Sequence, residues 1–160
     1  MSEPRWLSDA EQQAWRKLAA MTILLPAALE AQLQRDAELT QFGYWVLAML
    51  SEAPGRALRM SELAARSNAS LSRLSHVVGK LEDCGWVRRE RSPDDRRGNI
   101  AELTAAGWDK VVASAPGHVE RVRQLIFDAL TPDQVAQLCD ISGAVLERLD
   151  PDHHLHRPGA

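Results

Sequence analysis

Residues Met60 to Thr104 read MSELAARSNASLSRLSHVVGKLEDCGWVRRERSPDDRRGNIAELT, and the order of their signals decides the fold. Ser61 stands where a helix cap belongs, ahead of Leu63 and Ala64, and Ser67-Asn68 ends that short helix. Ser70 caps a longer helix that closes at Gly85, a residue suited to the left-handed position after a helix end. Trp86 to Arg91 and Asn99 to Leu103 have extended character. The joint between them, Ser92-Pro93-Asp94-Asp95-Arg96-Arg97-Gly98, carries the residues that make turns. Short helix, turn, longer helix, strand, cationic tip and strand together predict a winged helix-turn-helix.

The flanks read as helices. Ser8-Asp9-Ala10-Glu11 is a capping box, and its helix is expected to run to about Gln34, with Pro26 bending it or ending a first segment. Phe42, Trp45, Val46, Met49 and Leu50 recur at helical spacing, and Ala53-Pro54-Gly55 stops that helix. Thr104 caps a long helix toward Leu130, which Pro116-Gly117 should bend or break. Thr131-Pro132-Asp133-Gln134 is a second capping box, opening a last helix to about Leu149. The expected class is mainly α with a small β-hairpin wing (α+β). Residues 1–36 supply the N-terminal part of a dimerisation region, 37–104 the winged unit, 105–150 C-terminal dimerisation helices and 151–160 a disordered Pro/His/Gly-rich tail.

Dimerisation is the expectation because the terminal helices carry apolar stripes that so small a chain has little core to cover. Val111, Val112, Val119, Val122, Ile126 and Leu130 form one; Val135, Leu138, Ile141, Val145 and Leu149 form the other. The alternative is that both pack on their own winged unit.

Composition excludes several classes. Hydrophobic residues at 45% and charged ones at 26% are globular values. No apolar run approaches the roughly 20 residues of a membrane span, and the N-terminus has no secretory pattern. Cys84 and Cys139 form no metal-ligand or CxxC spacing, so a reducing cytoplasm is the simplest compartment. The net charge of −3 is uneven: residues 56–100 hold ten Lys/Arg against six Asp/Glu, which is +4 and leaves −7 for the rest. Phosphate contacts need local positive charge, not a basic protein.

The longer helix fits a major groove. Leu71, Leu74, Val78 and Leu81 cluster on one side, while Ala69, Ser72, Arg73, His76, Gly79 and Lys80 take the other. Arg73 can bond guanine O6 and N7 together; Ser72 and His76 can reach base edges or phosphate. Lys80 is placed for a phosphate, as are the free N–H groups near Ser70. Gly79 costs about 1 kcal/mol inside a helix, which close packing or close approach to a partner would explain. In the tip, Arg96 and Arg97 can enter an A·T-rich minor groove, with Asp94 or Asp95 holding one of them by a salt bridge. Arg88, Arg89 and Arg91 add phosphate partners or simply keep the hairpin soluble. The bland alternative for both surfaces is an ordinary solvated face.

These residues resemble the MarR (multiple antibiotic resistance regulator) family of bacterial transcription factors over roughly Trp15 to Leu149. The resemblance rests on Met60-Ser61-Glu62-Leu63-Ala64, Ser72-Arg73-Leu74, Leu81-Glu82, Gly85-Trp86-Val87, Asp94-Asp95-Arg96-Arg97 and Leu103-Thr104 with Gly107. It implies a homodimer bound to a pseudo-palindromic double-stranded DNA operator, most often as a repressor. It also implies release by a small molecule, commonly an aromatic or phenolic acid. Base-reading positions then fall on Ser70, Ser72, Arg73 and His76, and the wing's Asp-x-Arg on Asp95 and Arg97. Trp15, Phe42, Trp45, Met49, Trp108 and His118 are candidates to line an effector cavity, or are plain core. Cys84 is a redox candidate or a packed thiol; the family's first-helix sensing cysteine is absent.

An enzyme finds no support in GxSxG, HExxH, P-loop or GxGxxG motifs, and no cofactor or metal is expected. His153, His154 and His156 lie in a tail without fixed geometry. A winged unit that binds a protein instead of DNA is the remaining competitor.

Overall fold

The computed structural model describes residues 3–91 and 98–155. Ser8 opens α1 (Asp9–Ala37) through the expected capping box: its hydroxyl accepts from the Glu11 N–H, and the Glu11 carboxylate accepts the Ser8 N–H at 2.7 Å. α1 passes three residues beyond Gln34 and does not end at Pro26. Proline frees the carbonyl four residues earlier. That residue is exposed Thr22, so the unpaired group costs little. The same holds in α5 (Ala105–Leu125), where Pro116 follows exposed Val112. That helix stops at Leu125, short of Leu130, and a single 3-10 turn covers Phe127–Ala129.

α2 (Gln41–Glu52) starts at Thr40, whose hydroxyl accepts the Gly43 N–H. Its buried face is Tyr44, Val46, Leu47 and Leu50, rotated from the expected stripe, and Trp45 is 47% exposed. A strand unseen in the sequence follows, β1 (Ala57–Arg59). Three residues with only Leu58 buried leave no alternating signal to detect. α3 (Met60–Arg66) begins one residue before the expected cap. Arg59 takes the cap position without a side-chain cap hydrogen bond, so Ser61 is inside the helix.

α4 (Leu71–Asp83) ends as expected at Gly85, whose φ is +76°. The Trp86 N–H donates to Leu81 O and the Gly85 N–H to Glu82 O, the paired bonds that close a helix over a left-handed residue. β2 (Val87–Arg91) and β3 (Asn99–Leu103) pair antiparallel, Val87 opposite Leu103. The sheet order is β1-β3-β2, so the wing hairpin is anchored through its second strand.

Thr104 joins the wing to the next helix. Its N–H donates to Trp86 O, its hydroxyl donates to Gly85 O at 2.7 Å, and that hydroxyl accepts the Gly107 N–H. Gly107 lies so close to the Trp86 backbone that an added Cβ would stand 2.1 Å from its carbonyl oxygen.

The core belongs to the winged unit. Leu33, Val46, Leu47, Leu50, Leu63, Leu74, Val78 and Val87 are fully buried there, drawing on only the last third of α1. α6 (Pro132–Leu149), opened by its Thr131–Gln134 capping box, buries none of its residues. Ile141, Val145 and Leu149 are exposed on it, as are Trp15, Leu18, Met21, Ile23 and Leu24 on α1. The segment after α6 is more ordered than expected. Asp150 is buried, and its carboxylate accepts the N–H groups of His154 and Leu155, so the chain turns there. The rest of the expected tail, including His156, lies outside the described residues.

Candidate nucleic-acid interface

α4 is held from beneath by Leu74, Val78 and Leu81. Its hydroxyl cap is direct: Ser70 Oγ accepts the Arg73 N–H at 3.2 Å. Ser70, Ser72, Arg73, His76 and Lys80 are all exposed, so the structure brings the sequence-predicted helix residues together on one outward surface. Leu71 departs from expectation. It is 55% exposed, because the helix enters the core only from Leu74 onward. Leu71 instead borders a cleft of about 270 Å³ at the base of the wing, with Arg59, Ser61, Ser75, Arg89 and Asn99. Among the described residues, a Cβ on Gly79 would meet only Arg89 Nη2 within 4 Å, at 3.9 Å, so packing against them does not require that glycine.

Several cations expected to meet phosphate have protein partners. Arg89 donates its Nε–H and its backbone N–H to the Glu82 carboxylate, at 2.8 and 3.0 Å, and its Nη1 reaches Ser75 Oγ. It is a clamp between β2 and α4. Those hydrogen bonds from Arg89 hold the Glu82 carboxyl below the usual carboxylate range. Arg88 pairs with Glu102 across the hairpin at 2.8 Å and with Glu90 at 3.0 Å. Arg88 and Arg89 are thus both engaged by carboxylates of the hairpin and its supporting helix. Arg56 lies over the Trp108 ring at 3.7 Å from its centroid, and Arg66 pairs with Glu62. Arg73 is set over the Phe42 ring, 4.5 Å from the guanidinium carbon to the centroid. Sequence reasoning missed Phe42 in this place, since i, i+3 spacing assigned it to the α2 core.

The wing's base is described through Arg91 and from Gly98, whereas Asp94, Asp95, Arg96 and Arg97 lie outside the described residues. The candidates for an effector cavity do not converge. Trp45 and Met49 border a cleft of about 270 Å³ with Glu52, Arg66, His154 and Leu155. Trp15 is exposed on α1, Trp108 faces Arg56, and His118 packs on Tyr44 with ring centroids 4.6 Å apart. His118 Nδ1 and Gln32 Oε1 are buried without hydrogen-bond partners among the described residues. Burial pushes the His118 pKa down and the Tyr44 pKa up. Cys84 and Cys139 are both exposed thiols. Among the described residues no His/Cys/Asp/Glu group could hold a metal, and no helix is long and apolar enough to cross a membrane.

The fold that sets α4 beside a three-stranded sheet has counterparts among solved structures. The MarR family model matches residues 44–98. The crystal structure of Sco3205, a MarR family transcriptional regulator from Streptomyces coelicolor in complex with DNA, superposes with a TM-score of 0.89 at 48% identity, over 94% of each chain. This chain belongs to the MarR family.

A second family regulator from Streptomyces coelicolor, AbsC, is 40% identical with a TM-score of 0.85, over 91% of this chain and 98% of that one. The transcriptional repressor MprA of Escherichia coli is 28% identical over 107 residues, 67% of this chain and 60% of that protein. Alignments with three curated relatives span only 52–66% of their lengths. These relatives and neighbours are named as transcriptional regulators or repressors.

Proposed function

We propose that this MarR-family protein is a sequence-specific DNA-binding repressor that acts as a homodimer on a pseudo-palindromic operator in the cytoplasm. The observation that carries the reading is the outward face of α4. Ser72, Arg73, His76 and Lys80 stand exposed on a helix whose opposite side is buried through Leu74, Val78 and Leu81. Such a helix can enter a major groove without losing its own core. Arg73 reads guanine, Ser72 and His76 reach base edges, and Lys80 with the N–H groups near Ser70 fixes register on phosphates. Asp95, Arg96 and Arg97 are proposed to serve the adjacent minor groove, with Asp94 or Asp95 holding one of the arginines. The DNA bound to Sco3205 supports a DNA partner for this chain.

Dimerisation is supported by the exposed apolar residues of α1 and α6, Leu24 and Ile141 among them. Residues 1–36 and 105–150 form the dimerisation region in this reading, and 37–104 the DNA-binding unit. Two subunits then address half-sites about one helical turn apart. Repression is supported by the relatives YetL and MprA, both named repressors. A small-molecule effector, such as an aromatic acid, is proposed to release the DNA by changing how the winged units sit on the dimer.

Fluorescence anisotropy against the duplex upstream of the chain's own gene, titrated over salt and compared with a random duplex, tests the reading. Tight binding above the random control, falling steeply with salt, supports it. Absence of binding to either duplex at low salt would sink it and leave a protein-binding winged unit.

A further inference from the structure

Arg73 is the long cation in the first turn of α4, and its guanidinium is not left to sample solvent freely. It is set over the Phe42 ring of α2. We propose that Phe42 is a positioning residue for base reading: its ring presents the Arg73 guanidinium to the groove in the orientation that meets a guanine edge. The proposal rests on the DNA-reading role given above to Arg73.

The platform under the ring is rigid. Phe42 is the second residue of α2, and the residues on either side are fixed. Gln41 donates its N–H to the Glu30 carboxylate of α1 at 2.6 Å, and Gly43 donates to Thr40 Oγ1 at 2.9 Å. Gly43 is packed so tightly that an added Cβ would meet Thr40 Oγ1 at 3.0 Å and Leu81 Cδ2 of α4 at 3.7 Å. The neighbours of Phe42 are thus tied to α1 and set close to α4, and its partly buried ring packs on the core.

The chemistry follows from what each partner uses. A guanidinium over an aromatic ring engages its flat face and leaves its N–H fork for a bidentate acceptor. An arginine on bare surface must give up its rotamer freedom when it meets guanine O6 and N7. One already set over a ring gives up less. The benefit falls on the one base that Arg73 reads, not on phosphate contacts, which tolerate many geometries. Phe42 is thus a specificity determinant that never touches the DNA itself.

Selection from a random-sequence duplex pool, followed by sequencing, measures the preference of the full-length chain at every operator position. Arg73→Ala should flatten one guanine preference per half-site. Phe42→Leu should weaken that same preference by about two- to five-fold, the scale of one exposed cation–π contact, and leave other positions and the salt dependence alone. Phe42→Tyr, which keeps the ring, should retain it. The Phe42→Leu/Arg73→Ala double variant should be no flatter than Arg73→Ala. If Phe42→Leu fails to fold by circular dichroism, Phe42→Met replaces it in the same comparison.

Three results would overturn the proposal: an unchanged profile for Phe42→Leu, equal flattening at all positions, or independent losses in the double variant. If Arg73→Ala itself changes no position, the reading of Arg73 falls and this inference falls with it. If Arg73→Ala flattens a position and Phe42→Leu does not, Arg73 keeps its role and Phe42 loses its own.

Discussion

At the scale of single residues, two positions constrain the molecule through what they lack. Gly107 has no side chain because the Trp86 carbonyl occupies the space where one would begin. Gly107→Ala should destabilise the fold by about 3 kcal/mol, the upper part of the range for overpacking, since backbone must move. Urea unfolding measures it, and an unchanged midpoint would refute the close approach. His118 lacks a partner for its buried Nδ1 among the described residues, and burial lowers its pKa. The neutral ring is therefore preferred in the folded state. Stability is full above the unfolded imidazole value of about 6.5 and falls as pH drops through and below it, because only the unfolded chain then gains the proton readily. Urea midpoints at about pH 7.5 and about pH 5.5 should differ in the wild type and differ less in His118→Leu. An equal pH dependence in both proteins would remove His118 from the account.

Between elements, the Arg89–Glu82 contact joins wing to reading helix. Glu82 accepts both the Arg89 side chain and the Arg89 backbone N–H, so one carboxylate holds a strand and its arginine at once. Glu82→Ala leaves that N–H without its acceptor. Native-state hydrogen exchange should show the Arg89 amide opening faster, with protection of the Leu33–Leu47 core amides unchanged. Slow exchange at Arg89 in the variant would show that β2 is held by its β3 ladder alone. The two helix-internal prolines belong to the same scale. Sequence rules treat them as breaks, yet α1 and α5 run through them because the freed carbonyls belong to exposed residues.

For the whole molecule, the governing fact is that one chain covers its winged unit but not its terminal helices. A second copy laid along α1 and α6 would bury Leu24 and Ile141, which are 68% and 63% exposed. Light scattering should give twice the 17.8 kDa chain mass. A Leu24→Glu/Ile141→Glu variant should shift toward monomer and lose DNA affinity together. A monomeric wild type at micromolar concentration would remove the half-site spacing. Lys80→Ala should lower affinity for all duplexes alike and reduce the salt slope by about one. A change in base preference instead would move Lys80 from phosphate to base.

What the sequence determined by itself is what is encoded locally. The caps at Ser8, Ser70, Thr104 and Thr131 and the left-handed stop at Gly85 depend on residues within a few positions of one another, and the paired strands of the wing on neighbours along one hairpin. The family was legible for the same reason, since its motifs lie in that compact stretch. Tertiary structure decided what depends on neighbours distant in sequence. It added β1 through pairing with β3, turned the α2 core face away from Trp45, left Leu71 outside, and gave Arg89 to Glu82 and Arg73 to Phe42. Helical periodicity specifies a face, but only packing specifies which part of that face is covered. Charge likewise counts cations, and only the fold assigns their partners.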